Sequence, residues 1–204
     1  MKILSIEAEA FAIPLPRHFL GSNYKYTHKK GVFIRGKTDG GIEGFGYLGD
    51  DFGLGQNIAN AVNEDFSKIL IGRDPSDVES IWHDMRPLVR DILGDRRVAL
   101  HAQALADILC WDLHARAQGL SVVDLLGRQR DRAPIMVIAG YYTQQNSLDA
   151  LADETRELIR LGSKGMKLKV GGLSVAEDVA RVKTVRDAGG DTFNLAVDAN
   201  QAWS

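Results

Sequence analysis

Cysteine is nearly missing from this chain. Cys110 is the only one, so no disulfide can form within it, and nothing points to an oxidising compartment. Long apolar runs are missing too. Glu7 and Glu9 interrupt the N-terminal stretch that a secretion signal would keep apolar, and no later run approaches membrane-spanning length, so the expected location is the cytoplasm. An excess of charge of either sign is absent as well. With 25 Lys and Arg against 27 Asp and Glu, the formal net charge of −2 is too small to imply nucleic acid or an anionic membrane as partner. A small molecule is expected instead. The five histidines show no metal-binding spacing, and no G-x-S-x-G, P-loop or six-position dinucleotide fingerprint is present.

What remains is a globular chain. Its 204 residues, 45% of them hydrophobic, can bury a real core in one or two domains. Residues 2–13 read as a strand with one exposed face, ended by Pro14 and Pro16. From Gly31 to Leu48 the turn Thr38-Asp39-Gly40-Gly41 separates two apolar runs, which predicts a hairpin and, with the first strand, a three-stranded antiparallel sheet. The polar and aromatic segment 17–30, with His18, Tyr24, Lys25, Tyr26 and His28, reads either as a solvated loop or as a lid that meets an acidic ligand.

Three helices are expected next. The first covers about 54–71, the second opens with Asp74 as N-cap and Pro75 at its first position, and the third covers about 98–118. In the third, Ala102, Leu105, Ala106, Leu109, Leu113 and Ala117 recur at three- and four-residue intervals, and Gly119 fits its C-terminal stop. The charged, aperiodic stretch Gly127 to Ala133 marks a boundary, giving domains 1–130 and 131–204.

Beyond it a βα rhythm appears. Strands are expected at 135–138, 166–170 and 193–197, with helices at 148–161 and 175–188, the spacing of parallel strands joined by crossover helices. Ser174 and Glu177 form a capping box. Val175, Val179, Val182 and Val185 form a stripe suited to a sheet, as do Leu148, Leu151, Leu158 and Ile159 one unit earlier.

Parallel βα units place ligand-binding loops at the carboxyl ends of their strands, where Tyr141, Lys169 and Asp198 fall. In Gly165-Met166-Lys167-Leu168-Lys169-Val170-Gly171 the apolar residues alternate with the lysines, so one face would pack against helices and the other would aim Lys167 and Lys169 into a barrel mouth. Two neighbouring, partly desolvated ammonium groups disfavour each other's charge, so one pKa is expected to fall and that lysine could act as a general base. Asp198 could cap a following helix or, with Asn200 on the same strand face, ligate a hard divalent cation. Gly171-Gly172 could cradle a phosphate or form only a turn.

Taken together, an α+β segment of about 130 residues, then Ala102 to Leu113, Leu125-Leu126-Gly127, Lys167-Leu168-Lys169 and Val197-Asp198-Ala199-Asn200-Gln201-Ala202-Trp203 resemble the mandelate racemase and muconate lactonising enzymes of the enolase superfamily. The resemblance covers the whole chain, and Gly46-Tyr47-Leu48 resembles the mandelate racemase branch. It implies an α+β capping domain followed by a modified (β/α), TIM-like barrel with Mg²⁺ at its mouth, in a homo-oligomer. By the same resemblance Lys169 removes a proton α to a carboxylate, Lys167 contacts that carboxylate and tunes its neighbour, and Asp198 is the first Mg²⁺ ligand. Asn200 faces the substrate, and Tyr141 and Tyr24 complete the expected substrate-binding set. A lysine or histidine base beside Mg²⁺ is the general arrangement of enolase-superfamily sites.

The implied reaction is α-proton abstraction from a (hydroxy)carboxylate or acid sugar, giving racemisation or dehydration. Lactonisation as in muconate cycloisomerase, a Schiff-base lyase, and a non-catalytic acid-binding or assembly module are the alternatives. The family's further metal ligands and second acid/base lie on later strands than this sequence contains. Three strands of an eight-stranded barrel leave unpaired edges, so the sequence is expected to be the N-terminal part of a longer polypeptide.

Overall fold

The computed structural model describes residues 1–49, 53–143 and 147–203. The chain forms two compact units, Met1–Pro14 with His28–Gln129, and Leu15–Thr27 with Arg130–Ser204. A division in sequence order at residue 130 does not capture the hairpin segment Leu15–Thr27, which groups with the second unit.

The first unit is built on a sheet of order β1-β2-β3, from β1 (Ile3–Leu20), β2 (Lys25–Thr38) and β3 (Glu43–Gly49), whose first two strands continue into the second unit. β2 and β3 pair antiparallel from Gly31↔Gly49 to Lys37↔Glu43. Pro14 and Pro16 do not end β1. An edge strand tolerates proline where the lost N–H would face outward, and residues two apart present that lost donor on the same side. The segment expected as a 17–30 loop is correspondingly mostly strand, with only residues 21–24 between β1 and β2.

α1 (Gly55–Ala61), a π-helical turn (Val62–Phe66) and α2 (Ser67–Leu70) run on without a break. Asn63 in the π turn accepts from Ala8 N at 2.9 Å and donates to Ala8 O at 2.9 Å, occupying backbone groups of the edge strand. α3 (Val78–Arg90) starts later than Asp74-Pro75 suggested. Asp74 is drawn into a turn of its own, accepting from Ser76 N at 3.0 Å and Ser76 Oγ at 2.8 Å, and Asp77 takes the N-cap position.

α4 (Arg96–Ala117) is capped by Asp95, which accepts from Arg97 N at 2.9 Å. Ala102, Leu105, Ala106, Leu109 and Leu113 are fully buried, whereas Ala117 at the expected end of the stripe is exposed. The helix sits close on the sheet because the strands offer glycine. A Cβ on Gly44 would lie 2.6 Å from Leu113 Cγ. Gly119 has φ +68°, and the short α5 (Val122–Leu125) follows, capped by Ser121.

In the second unit β4 (Val137–Ala139), β5 (Gly165–Lys169) and β6 (Asn194–Asp198) form a parallel sheet of order β4-β5-β6. α6 (Leu148–Arg160) and α7 (Val175–Gly189) are the crossovers. β5 is central, and the register sets Lys169 opposite Asp198. Met166, Leu168 and Val170 are buried with Ala139, Leu151, Val185 and Phe193 in this unit's core.

Both crossover stripes are met in part: Leu151 and Leu158 on α6 and Val182 and Val185 on α7 pack in the core. Thr155 joins Leu151 in the buried face of α6, while Leu148 and Ile159 are exposed. On α7 the buried positions are Asp178, Arg181 and Val185, and Val175 and Val179 point outward into a groove of about 460 Å³ lined also by Leu173, Val197 and Trp203. Side chains three and four apart share a helical face, so 178, 181 and 185 form a stripe as regular as the valine one. Hydrogen bonds at the sheet's end select it.

Candidate functional site

Strand pleating decides which way the lysines point. With Met166 and Leu168 fully buried in the core, Lys167 and Lys169 fall on the opposite face of β5. Their ammonium groups meet one oxygen: Asp198 Oδ2 lies 2.8 Å from Lys167 Nζ and 3.0 Å from Lys169 Nζ. Adjacent parallel strands in register bring this about, because Asp198 is the residue beside Lys169 on β6. Lys169 is the enclosed member, with its side chain 4% exposed against 34% for Lys167.

The carboxylate is held well below the usual carboxylate range, chiefly by the hydrogen bond from Lys167, then by the Asn200 N–H and by Lys169. Two lysines alone would repel, as the sequence suggested. In the fold an anion stands between them and offsets that repulsion.

Asp198 Oδ1 accepts from Asn200 N at 2.9 Å. The strand has ended by then: Asn200 and Gln201 have φ of +49° and +61°, a left-handed turn that asparagine adopts more readily than most residues. Asn200 therefore does not continue the strand face that alternation assigned to it. Its Oδ1 is buried and makes no hydrogen bond among the described residues, which leaves an acceptor waiting beside the carboxylate.

Two tyrosine rings flank the lysine. Lys169 Nζ lies 5.6 Å from the Tyr141 ring centroid and 5.7 Å from that of Tyr24. Burial, then the neighbouring Tyr24, raises the Tyr141 phenol above its ordinary pKa, so it is protonated at neutral pH. Tyr24 reaches this place because the hairpin tip is tied down: Ser22 Oγ donates to Ala199 O at 2.6 Å, Asn23 Nδ2 to Asn200 O at 3.0 Å, and Tyr142 N to Leu20 O at 2.9 Å. The structure thus gathers Lys167, Lys169, Asp198, Asn200, Tyr141 and Tyr24 at the carboxyl end of the parallel strands.

The donor set fits a hard cation in kind and falls short in number. Asp198 and the Asn200 amide are oxygen donors, as Mg²⁺ prefers. Among the described residues no three His, Cys, Asp or Glu side chains converge, so Asp198 contributes one carboxylate to any such site. Sequence reasoning missed Tyr142, Asp178 and Arg181, which lie just outside the Lys169 side chain. Asp178 and Arg181, aligned with Val185 at three- and four-residue spacing on α7, were the available signal.

Known proteins share the fold and sequence of this chain. Residues 14–127 match the family described as mandelate racemase / muconate lactonizing enzyme, N-terminal domain, and residues 150–204 match enolase C-terminal domain-like. The N-succinyl-L-Arg/Lys racemase of Bacillus cereus is 30% identical over all of this chain and 53% of its own length. A solved mandelate racemase/muconate lactonizing enzyme shares 38% identity at a TM-score of 0.89, over 99% of this chain and 54% of its own. Another, from a marine actinobacterium and in complex with magnesium, shares 33% at a TM-score of 0.81, over 100% of this chain and 53% of its own. Further relatives are epimerases, dehydratases and cycloisomerases. The chain spans about half the length of the curated relatives it matches. On these matches and the fold they share, the chain belongs to the mandelate racemase / muconate lactonizing enzyme family of the enolase superfamily.

Proposed function

We propose that the full-length protein carrying this sequence is a Mg²⁺-dependent enzyme that removes the α-proton of a small (hydroxy)carboxylate or acid sugar, with racemisation or dehydration as the outcome. Residues 1–130 serve as the capping domain and 131–204 open the barrel. The observation that carries this reading is the Asp198 carboxylate shared by Lys167 and Lys169, with Lys169 the desolvated member.

In this mechanism the substrate carboxylate lies toward Lys167, whose more exposed ammonium pairs with it. Lys169 takes the α-proton at Nζ once it is neutral, and afterwards holds it as an ammonium hydrogen-bonded to Asp198. Tyr24 and Tyr141 wall the base from bulk water, which strengthens each of these interactions. Asn200 offers its unpaired Oδ1 to a substrate hydroxyl. Asp198 would also hold the Mg²⁺, together with ligands from outside this sequence. When bound, that ion supplies Lewis-acid stabilisation of the negative charge that proton loss places on the carboxylate.

Cycloisomerases among the relatives, acting by their names on D-galactarolactone and 3,6-anhydro-alpha-L-galactonate, favour lactone chemistry as the second reading. Both outcomes share the proton-transfer half-reaction. The test is α-proton exchange into deuterated water, followed by proton NMR, for the full-length protein with N-succinyl-L-arginine, arabinonate, galactarate and L-Ala-L-Glu. Exchange with at least one acid, lost on chelation and restored by Mg²⁺, is expected. Tight binding of an acid with no exchange would replace this proposal with the non-catalytic module.

A further inference from the structure

Three charged or phenolic side chains just below the candidate site are buried and tied to one another. Tyr142 Oη donates to Asp178 Oδ1 at 2.8 Å and accepts from Gly172 N at 2.9 Å. Asp178 Oδ2 accepts from Gly171 N at 2.6 Å. Arg181, 3% exposed, donates through Nη2 to Gly140 O and, at 3.4 Å, to Lys169 O, and its guanidinium lies 4.5 Å from the Tyr142 ring centroid. Its Nε makes no hydrogen bond among the described residues and lies 3.8 Å from Asp178 Oδ1.

The backbone groups these side chains hold form a pattern. Gly140 follows β4, Lys169 ends β5, and Gly171 and Gly172 form the loop that leaves β5. Three side chains therefore grip the Lys169 carbonyl, the two glycines that follow it and the neighbouring strand exit. The same loop meets the one after β6, since Gly171 has φ +86° and a Cβ there would lie 3.1 Å from Ala202 Cβ. A carboxylate and a guanidinium cost free energy to bury, and packing alone needs neither here. Burial pushes the Tyr142 phenol up to about 12 and pulls the Arg181 guanidinium down, which is the cost made visible.

We propose that Tyr142, Asp178 and Arg181 are positioning residues that fix the exit of β5 and so hold Lys169 Nζ in its enclosed place at Asp198. Their hydrogen bonds run to one another and to backbone groups of the strand exits. The proposal rests on the reading of Lys169 as the reactive lysine, but its consequence is a property of that side chain that needs no substrate. Freed from its grip, the end of β5 relaxes, and a lysine now almost inaccessible meets solvent.

The test is competitive acylation of lysines in the full-length protein, read residue by residue by mass spectrometry, for wild type, Tyr142→Phe and Arg181→Met. Both variants are expected to raise Lys169 labelling about tenfold, the scale of one lost hydrogen bond to a charged group. The exposed Lys164, just before β5, and Lys183, on α7, should keep wild-type labelling, and the melting temperature serves as a folding control. Unchanged Lys169 labelling in both variants would overturn the proposal. So would a rise shared by Lys164 and Lys183, which marks general loosening. If Lys169→Met abolishes α-proton exchange while the network variants leave labelling unchanged, only this inference fails. If Lys169→Met retains exchange, the base assignment fails on its own.

Discussion

The two compact units bury different kinds of residue. Among the described residues of the first, the buried polar side chains are Thr38, Ser67 and Gln103, all uncharged, around a core that includes Leu105, Leu109 and Leu113. In the second they are Thr155, Lys169, Asp178 and Arg181 around a core of fewer residues. Desolvating a charge costs several kcal/mol, and its partners seldom repay the whole. The first unit is therefore organised for stability, and the second gives up stability to hold charge at the end of a parallel sheet. A catalytic centre needs groups oriented before the reaction begins, and the second unit has that character.

One substitution in each unit sharpens this contrast. Leu109→Ala in the first unit opens a cavity beneath the sheet and should cost about 3 kcal/mol in denaturant unfolding, without touching the site directly. In the second unit Ser174→Ala removes the cap of α7, whose hydroxyl accepts from Glu177 N and whose backbone N–H is held by the Glu177 carboxylate. A loss of about 1 kcal/mol is expected there, also by denaturant unfolding. Equal losses at the two positions would remove the distinction between a packed and a wired unit.

The smallest effect concerns acid. Asp74 in the first unit is held down to about 2, first by the Ser76 N–H and hydroxyl and then by the Met1 ammonium. Its folded pKa lies below the unfolded one, so its stabilisation is complete above about pH 4 and fades as pH falls toward 2. Asp74→Asn should flatten the stability profile in that window by lowering stability above it, with stability near pH 2 nearly unchanged. Urea midpoints measured between pH 2 and 5 would show it.

Alternation and capping were legible in the sequence. Met166, Leu168 and Val170 against Lys167 and Lys169 required only the two-residue period of a strand, and Ser174 with Glu177 required only local hydrogen bonding. What escaped depends on neighbours far along the chain. Pro14 and Pro16 read as a stop until β1 is known to be an edge strand. Asp74 read as the cap of α3 until Ser76 and the N-terminus claimed it. On α7 two stripes were equally periodic, and only the backbone groups of Gly171, Lys169 and Gly140 decide that Asp178 and Arg181 turn inward. At the site, alternation set the direction of the lysines, while the bridging role of Asp198 needed the register of β5 against β6.

The most direct test of the central claim compares wild type with Lys169→Met in the full-length, Mg²⁺-loaded protein, using the acid that wild type exchanges. Lys167 remains to partner Asp198, so folding should be retained, with the melting temperature as the check. α-Proton exchange should fall by about 10³-fold, as expected for loss of a general base. Exchange at the wild-type rate in a folded Lys169→Met protein would contradict the account.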